Sequence, residues 1–290
     1  MIKLKELPDE ELLYGTVGCS GCGAVVAVRM ALKVLGKNTV IVFPAGCIMA
    51  VSGFYPQMAM NIPLISTAFP CTAAGVSGLV AGLKVQGKED ITVLGVAGDG
   101  GTADIGIQAL SGAVERGENF IYICYDNEAY MNTGGQRSSE TPYGARTTTT
   151  PVGRNHMWED KPKKDLLRIM AAHNIPYAAR ASISHPFEYM ENIRKAKEIK
   201  GPAFIHVLAP CPSGWGIDSS KTVESARLAV ESGIWELAEY ENGQYKVSKV
   251  IRKRKPVAEY LRSQGRFKHL PPEEIEKMQQ QVDAYWANVK

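Results

Sequence analysis

The sequence predicts an open, doubly wound α/β sheet whose strands are mostly parallel. Short apolar runs, each bounded by glycine, proline or charged residues, alternate along the chain with segments that have helical spacing. A continuous apolar run is typical of a strand that is covered on both faces, as in a parallel sheet. Because strands and helices alternate along the chain, we expect right-handed crossovers with helices on both faces of one sheet.

Four strands and four helices are predicted in the first two thirds of the chain. The strands cover residues 39–43, 91–96, 120–125 and 203–208. The helices cover residues 24–35, 72–85, 103–116 and 165–173. A glycine stands one or two residues after each of the first three helices, where a left-handed residue often ends a helix.

The pattern changes from residue 217 onward. A helix over 223–232 precedes a hairpin over 235–247, which turns at Asn242-Gly243, a dipeptide typical of two-residue hairpin turns. Residues 271–290 open with Pro-Pro-Glu-Glu and predict one exposed helix with few apolar positions. We therefore expect an α/β domain over residues 1–216 and a C-terminal arm over 217–290 that contacts a partner subunit.

Composition and charge exclude several classes of protein. The 33 basic and 30 acidic residues leave a formal net charge of only +3, which gives no electrostatic footprint for nucleic acid. The N-terminus lacks the apolar core of a signal peptide, and no apolar run approaches the length of a membrane span. We expect a soluble cytoplasmic protein that binds neither nucleic acid nor membrane.

Polar residues follow two neighbouring strands of the predicted sheet. The turn Gly98-Asp99-Gly100-Gly101 lies between a strand and a helix, where backbone N–H groups favour an anion such as phosphate. After Gly100 come 26 residues and then Asn127, at the end of the next strand. Since the carboxyl ends of parallel neighbours meet at one edge, Asp99 and Asn127 should reach one cation. Carboxylate, amide, carbonyl and diphosphate oxygens together indicate Mg²⁺.

Six cysteines in 290 residues are too few for a disulfide scaffold. Only Cys19 and Cys22 are close in sequence, and such a pair by itself is compatible with zinc, with a redox pair or with chance. Cys71, at a helix start, and Cys124, in an apolar strand, are interpreted as small buried apolar residues. The five histidines have no ligand spacing and are given no role.

Gly-Asp-Gly followed after 26 residues by Asn resembles the thiamine-diphosphate motif. The resemblance implies that Asp99, Asn127 and the carbonyl of Ala129 bind Mg²⁺, with Gly98, Gly100 and Gly101 beside the diphosphate. Further likeness lies in Gly18-Cys19-Ser20-Gly21-Cys22-Gly23, Pro44-Ala45-Gly46-Cys47 and Pro210-Cys211-Pro212. These motifs are similar to the cluster ligands in the thiamine-diphosphate subunit of 2-oxoacid:ferredoxin oxidoreductases. They imply one 4Fe-4S cluster on Cys19, Cys22, Cys47 and Cys211, with zinc as the alternative.

The segments 130–136 and 141–145 are similar to the pyruvate-using branch of that family. The resemblance implies CoA-dependent oxidative decarboxylation of pyruvate, run reversibly in anaerobic metabolism, with electrons passing through the cluster to ferredoxin. It also implies that Asn132 donates a hydrogen bond on the substrate side. An Asn before Thr-Gly-Gly is nearly as compatible with a simple turn residue.

The same resemblance implies partners. An alpha subunit would supply the catalytic Glu, gamma and ferredoxin-like delta subunits or domains would complete the enzyme, and a dimer of heteromers is expected. Three alternatives stay open: the same chemistry on oxalate or a branched-chain 2-oxoacid, a non-oxidative thiamine-diphosphate decarboxylase with structural zinc, and a non-catalytic protein that kept the fold.

Overall fold

A computed structural model describes residues 2, 5, 7–154 and 157–289. Within these residues, eight strands form one sheet. In chain order they are β1 Thr39–Pro44, β2 Leu64–Thr67, β3 Thr92–Gly98, β4 Phe120–Asp126, β5 Tyr177–Ser182, β6 Pro202–Leu208, β7 Ala238–Glu241 and β8 Gln244–Val247. The spatial order is β2-β1-β3-β4-β6-β5-β7-β8.

Ten α-helices are found in the described part of the chain. They are α1 Gly23–Leu35, α2 Cys47–Ser52, α3 Thr72–Val85, α4 Ile107–Glu115, α5 Leu166–Ala171, α6 Pro186–Glu198, α7 Pro212–Trp215, α8 Thr222–Glu231, α9 Val257–Arg262 and α10 Pro272–Ala287. No helix among the described residues is both long enough and apolar enough to cross a membrane.

The first six strands are parallel, and this confirms the predicted fold class. Alternate residues of the inner strands are buried in two different cores: in β1, Ile41 and Phe43 pack with the α1 and α6 face, whereas Val42 packs with the α3 and α4 face. Because both faces are covered, neither face needs polar residues. The continuous apolar runs in the sequence follow from this.

Two strands and three helices of the α/β region were missed because their sequences lack an apolar run or clear helical spacing. Arg180 interrupts β5, and β2 has only four residues, of which Ile65 is 41% exposed. The missed helices are α2, α6 and α7.

The helix predicted over residues 103–116 was wrong at its start. A π-helical turn, Gly100–Asp104, comes first, and α4 begins only after Gly106. A side chain at Gly106 would place its Cβ 2.0 Å from the Gly101 carbonyl oxygen, so the main chain crosses itself closely at this point. Such π turns occur often beside functional sites.

The C-terminal stretch folds onto the rest of the chain. The predicted hairpin forms, turns at Asn242-Gly243, and adds β7 and β8 to the sheet in antiparallel orientation. In α10 only Trp286 is buried, and its Nε1 donates to the Gly233 carbonyl at 2.9 Å. The proposed boundary at residue 216 thus separates two stretches that share one sheet. Contact of the arm with a partner stays a prediction.

Candidate active site

A cleft of about 290 Å³ lies at the carboxyl ends of β1, β3 and β4. It is lined by the residues that follow these strands and by Phe69. They are Ala45, Gly46, Cys47, Gly98, Asp99, Gly100, Gly101, Tyr125, Asn127, Ala129, Tyr130, Met131, Asn132 and Thr133. The carboxyl edge of a parallel sheet is where ligands bind in open α/β folds. Every residue predicted to bind magnesium or diphosphate lines this cleft.

Asp99 follows β3 directly and is only 1% exposed. Its Oδ2 accepts a hydrogen bond from the Ser138 hydroxyl at 2.5 Å. Burial raises the pKa of Asp99 well above its ordinary value, and the nearby negative charge of Asp126 adds to this rise. A buried carboxylate in this state favours a bound cation, because the cation offsets the cost of desolvation.

Three oxygens converge beside Asp99. The Asn127 side-chain oxygen faces Asp99 Oδ1 and the Ala129 carbonyl oxygen, each at 2.9 Å; with the amide turned over, its nitrogen would donate to both. Ligands that lie about 2.1 Å from an octahedral Mg²⁺ are about 3.0 Å apart along each edge of the octahedron. The Asn127 oxygen therefore lies, from each of the other two oxygens, at the spacing expected within one magnesium shell.

The turn that carries these ligands is strained and clamped. Glu128, between Asn127 and Ala129, has φ of 67°, a left-handed conformation that is unfavourable for a residue with a side chain. Its carboxylate accepts from Lys163 Nζ at 2.7 Å and from Arg266 Nη2 at 2.5 Å. The two cations hold Glu128, so the turn keeps the conformation that directs Asn127 and Ala129 toward Asp99.

Behind the turn, Asp126 is fully buried and ionised. Burial tends to raise its pKa, but the charge of Lys163 and the hydrogen bond from His206 outweigh that effect and lower the pKa to about 2. Lys163 Nζ lies 2.7 Å from Asp126 Oδ2, and His206 Nε2 lies 3.0 Å from the same oxygen. The sequence analysis missed these supports and gave His206 no role. His156 lies outside the described residues.

Tyr130 covers the glycine-rich turn. A Cβ on Gly100 would lie 2.5 Å from the Tyr130 ring, so only glycine fits there. The Tyr130 hydroxyl donates to Asp104 at 2.9 Å, and the ring centroid lies 5.9 Å from that of Phe69. The two aromatic rings give the cleft an apolar wall next to the phosphate-binding turn.

Asn132 lies in a short 3-10 turn, Met131–Thr133, at the mouth of the cleft, and it is exposed. The loop beyond it is pinned by Arg137, whose Nε donates to the nearly buried Glu159 at 2.7 Å. The position of Asn132 suits a group that meets substrate; its role as hydrogen-bond donor stays a prediction.

The four predicted cluster cysteines form one group next to the cleft. Cys22 precedes α1, Cys47 begins α2 and Cys211 precedes α7, and the positive end of a helix favours a thiolate. Burial raises the pKa of Cys47 to about 12, and the charges of Cys211, Cys22 and, less strongly, Cys19 add to the rise. Cys19 is exposed and the other three are partly buried.

A main-chain contact between the residues next to Cys22 and Cys211 brings these two cysteines close to each other. Gly23 N donates to the Pro210 carbonyl at 3.2 Å, and a Cβ on Gly23 would lie 2.7 Å from that oxygen. Gly23 and Pro210 are 187 positions apart in the sequence, and the glycine allows the close contact that brings the neighbouring thiols of Cys22 and Cys211 together.

The spacing of the thiols disfavours a preformed zinc site. Tetrahedral zinc with Zn–S of about 2.3 Å holds its sulfurs about 3.8 Å apart. Among the residues that the structure describes, no three of the cysteines have sulfurs within 4.8 Å of one another. An iron–sulfur cube separates its thiolates more widely, since each binds a different iron at a different corner. The cysteine group therefore fits the cube better.

Of the two cysteines interpreted as small buried residues, only Cys124 is buried. It lies in β4, where burial raises its pKa well above the ordinary value. Cys71 precedes α3 and is only partly buried.

Two contacts join the cysteine group to the oxygen ligands. Trp215, at the end of α7, donates from Nε1 to the Asn127 carbonyl at 2.9 Å. Met131 packs on Gly214, where a Cβ would lie 2.1 Å from the Met131 sulfur. The helix that follows Cys211 therefore touches both the turn that carries Asn127 and the loop that carries Met131.

Comparison with known proteins gives one family and consistent relatives. Residues 44–207 match the family described as thiamine pyrophosphate enzyme, C-terminal TPP binding domain. The chain is 57% identical over 280 residues to pyruvate synthase subunit PorB of Methanothermobacter thermautotrophicus, covering 96% of this chain and 97% of the relative. It is 48% identical to ketoisovalerate oxidoreductase subunit VorB of Pyrococcus horikoshii, covering 97% and 93%.

A solved structure supports the fold. The 2-oxoglutarate:ferredoxin oxidoreductase of Magnetococcus marinus superposes with a TM-score of 0.57 at 23% identity, over 78% of this chain and 80% of that chain. At this identity the likeness concerns the fold alone.

Proposed function

This chain belongs to the thiamine pyrophosphate enzymes, among the subunits of pyruvate synthase and ketoisovalerate oxidoreductase, and from that premise we propose a specific reaction. As the beta subunit of a multi-subunit oxidoreductase, it carries out CoA-dependent oxidative decarboxylation of pyruvate, or the reverse synthesis. It binds thiamine diphosphate through Mg²⁺ on Asp99, Asn127 and Ala129. One 4Fe-4S cluster on Cys19, Cys22, Cys47 and Cys211 passes electrons toward ferredoxin.

One observation supports this proposal above the others: Cys47 lines the same cleft as the oxygen ligands. A non-oxidative decarboxylase does not need a redox centre beside its cofactor. An oxidoreductase does, because two electrons must leave the cofactor after CO₂ departs, and short distances favour their transfer. The shared wall therefore favours oxidative chemistry over decarboxylation with structural zinc.

The residues of the chain have separate tasks in this reaction. Asp99, Asn127 and Ala129 hold the cation that anchors the diphosphate, and the N–H groups of the Gly100–Asp104 turn face its negative charge. Tyr130 and Phe69 exclude water from one side of the cleft. When bound, thiamine diphosphate supplies the nucleophilic carbon and the electron sink for cleavage beside the 2-oxo group. Asn132 donates a hydrogen bond to the substrate.

Pyruvate is our first candidate for the substrate. The two relatives named pyruvate synthase subunit PorB from Methanothermobacter are 57% and 56% identical to the chain, while other PorB relatives are 46–50% and the ketoisovalerate relatives 48–50% identical. A branched-chain 2-oxoacid is the second candidate, and oxalate is a third.

A partner chain must complete the site. Asp99 is the one acidic residue among the described residues that line the cleft, and it is engaged at the diphosphate end. Thiamine chemistry needs a carboxylate at the opposite, aminopyrimidine end. We therefore assign that Glu to an alpha subunit, with gamma and ferredoxin-like delta subunits or domains completing a dimer of heteromers that uses coenzyme A.

Reconstitution tests the proposal. The chain purified without oxygen should be brown and contain about four irons, one cube, whereas the zinc alternative predicts a colourless protein. Loaded with Mg²⁺ and thiamine diphosphate, the chain alone should neither decarboxylate pyruvate nor reduce a viologen dye, and the alpha subunit should restore both. Turnover by the single chain would contradict the shared site.

A substrate panel then separates the 2-oxoacids. The assembled complex is offered pyruvate, 2-oxoisovalerate, 2-oxoglutarate and oxalate, each with coenzyme A and a viologen dye. The highest kcat/KM is expected for pyruvate. A preference for 2-oxoisovalerate would transfer the assignment to the branched-chain enzymes without changing the cofactor assignments.

A further inference from the structure

A second cavity, of about 430 Å³, lies between the sheet and the C-terminal arm. Its inner wall is polar and contains Glu140, Lys163, Arg180 and His206, while Trp235 and Tyr285 contribute aromatic surface from the arm. Among the residues that the structure describes, none that lines this cavity also lines the thiamine cleft.

Three potential metal ligands meet at its inner wall. One ligand atom each of Asp126, Glu140 and His206 lies within 4.8 Å of the other two, and all three side chains are buried. His206 Nε2 lies 3.0 Å from Asp126 Oδ2 and 3.8 Å from Glu140 Oε2. These separations are compatible with ligands around one ion.

Glu140 lacks the partner that a buried carboxylate needs. Both of its oxygens are buried without any hydrogen bond. The nearest cation, Lys163 Nζ, lies 3.9 Å away, because it is bound at 2.7 Å to Asp126 and at 2.7 Å to Glu128. Burial raises the pKa of Glu140 well above its ordinary value, with Lys163 opposing the rise only in part.

The surrounding ion pairs leave Glu140 without a close cation. Lys163 binds Asp126 and Glu128 at 2.7 Å each and lies 3.9 Å from Glu140, and Arg266 binds Glu128. Burial lowers the pKa of His206, so this side chain adds no charge at neutral pH. An uncompensated buried charge costs several kcal/mol, roughly, which a bound cation removes.

We propose that Asp126, Glu140 and His206 form a second divalent-cation site, selective for a transition metal such as Mn²⁺. An imidazole beside two carboxylates favours this class of ion over Mg²⁺, which prefers oxygens alone. The cavity has room for water on the ion, and such a water would accept from Arg180 Nε, a buried donor without a hydrogen-bond partner. The ion would take the place of Lys163 at Asp126 Oδ2, while Lys163 stays on Glu128.

The bound ion joins three segments that the sequence keeps far apart. Asp126 ends β4 immediately before the Asn127 ligand, Glu140 lies in the loop after the cleft, and His206 lies in β6. The ion therefore fastens the substrate-side loop to the sheet. The site does not depend on the proposed reaction, because its ligands do not line the thiamine cleft.

The test uses the assembled complex saturated with Mg²⁺ and thiamine diphosphate, titrated with Mn²⁺ alone. We expect one Mn²⁺ per chain that excess Mg²⁺ does not displace. Its electron spin echo spectrum should show ¹⁴N coupling from His206. Mn²⁺ that enters the thiamine site has only oxygen ligands and shows no such coupling from a histidine.

Two matched variants locate the ion. Glu140→Gln should weaken Mn²⁺ binding by about 100-fold and remove the ¹⁴N coupling. Glu236→Gln, which changes a buried carboxylate of the same cavity that already accepts from two tyrosines, should bind Mn²⁺ normally. Should Glu140→Gln fail to fold, the wild-type spectrum decides: Mn²⁺ without ¹⁴N coupling, or no tightly bound Mn²⁺, overturns the site and leaves Glu140 as a neutral acid.

Discussion

The proposed oxygen ligands line the cleft together with one member of the cysteine group, Cys47, yet the two groups are positioned in different ways. Asp99, Asn127 and Ala129 are at most 5% exposed, and side chains from distant segments hold them. The cysteine group includes an exposed thiol and is positioned by main-chain contacts such as Gly23 with Pro210. The first region therefore depends on the chemistry of its neighbours, and the second on how closely two backbones approach.

The sharpest test of this contrast removes one thiolate. Cys211→Ser should lower the iron content from about four atoms per chain to almost none, since a cube that lacks one of its four ligands is unstable. Affinity for thiamine diphosphate, measured by calorimetry, should change little. Cys124→Ser removes a buried thiol that belongs to no group and should keep all the iron. Loss of iron in Cys124→Ser with retention in Cys211→Ser would show that the ligand set is wrong.

The matching test removes an oxygen ligand. Asp99→Ala should weaken Mg²⁺-dependent binding of thiamine diphosphate by more than about 100-fold, because even an outer hydrogen-bond partner of a metal site contributes about 10–100-fold. Iron content should stay intact. Asp160→Ala, which removes an exposed carboxylate, serves as control. If calorimetry finds equal cofactor affinity in both variants, Asp99 is not a ligand.

A third variant tests the clamp on the metal-binding turn. Arg266→Met leaves Glu128 with Lys163 as its only cation and should lower the free energy of unfolding by about 3 kcal/mol, as expected for a broken buried pair. Arg194→Met removes surface ion pairs on α6 and should cost less than about 1 kcal/mol. Equal denaturation midpoints for the two variants would mean that the buried clamp adds nothing to stability.

The smallest expected effect lies at the link between the two regions. Trp215→Phe removes the hydrogen bond to the Asn127 carbonyl, which contributes about 1 kcal/mol, and should weaken cofactor binding about fivefold to tenfold. Iron content should not change. A variant that loses both cofactor and iron would show that the two regions are coupled more strongly than this single contact implies.

Sequence reasoning reached the parts of the site that depend on local pattern. Asp99 and Asn127 could be brought together in advance because each follows an apolar strand and parallel strands align their ends. The hairpin was predictable because Asn242-Gly243 stands between two segments of alternating polar and apolar residues, where this dipeptide is typical of a two-residue hairpin turn. Strand β5 was not predictable, because a charged residue, Arg180, interrupts its apolar run. In the fold, Arg180 forms ion pairs with Asp165 and Glu236, which are distant in sequence.

The residues that hold the site in place could not be predicted either, because their contacts also join segments that are distant in sequence. Lys163 stands in a run of lysines and prolines that is typical of an exposed loop, but the fold places its ammonium between Asp126 and Glu128. Arg266 lies 138 residues from Glu128, and no local pattern relates the two. The grouping of Cys211 with Cys22 came from resemblance, because the contact between Gly23 and Pro210 has no signature in spacing.

The left-handed turn at Glu128 also limits how this protein can evolve. Glycine is the usual replacement where a main chain is strained, yet here it would delete the carboxylate that Lys163 and Arg266 both bind. Replacing either cation first leaves a buried charge unpaired. Each single substitution among Glu128, Lys163 and Arg266 is therefore unfavourable. We expect related proteins that build this turn differently to have changed all three residues together.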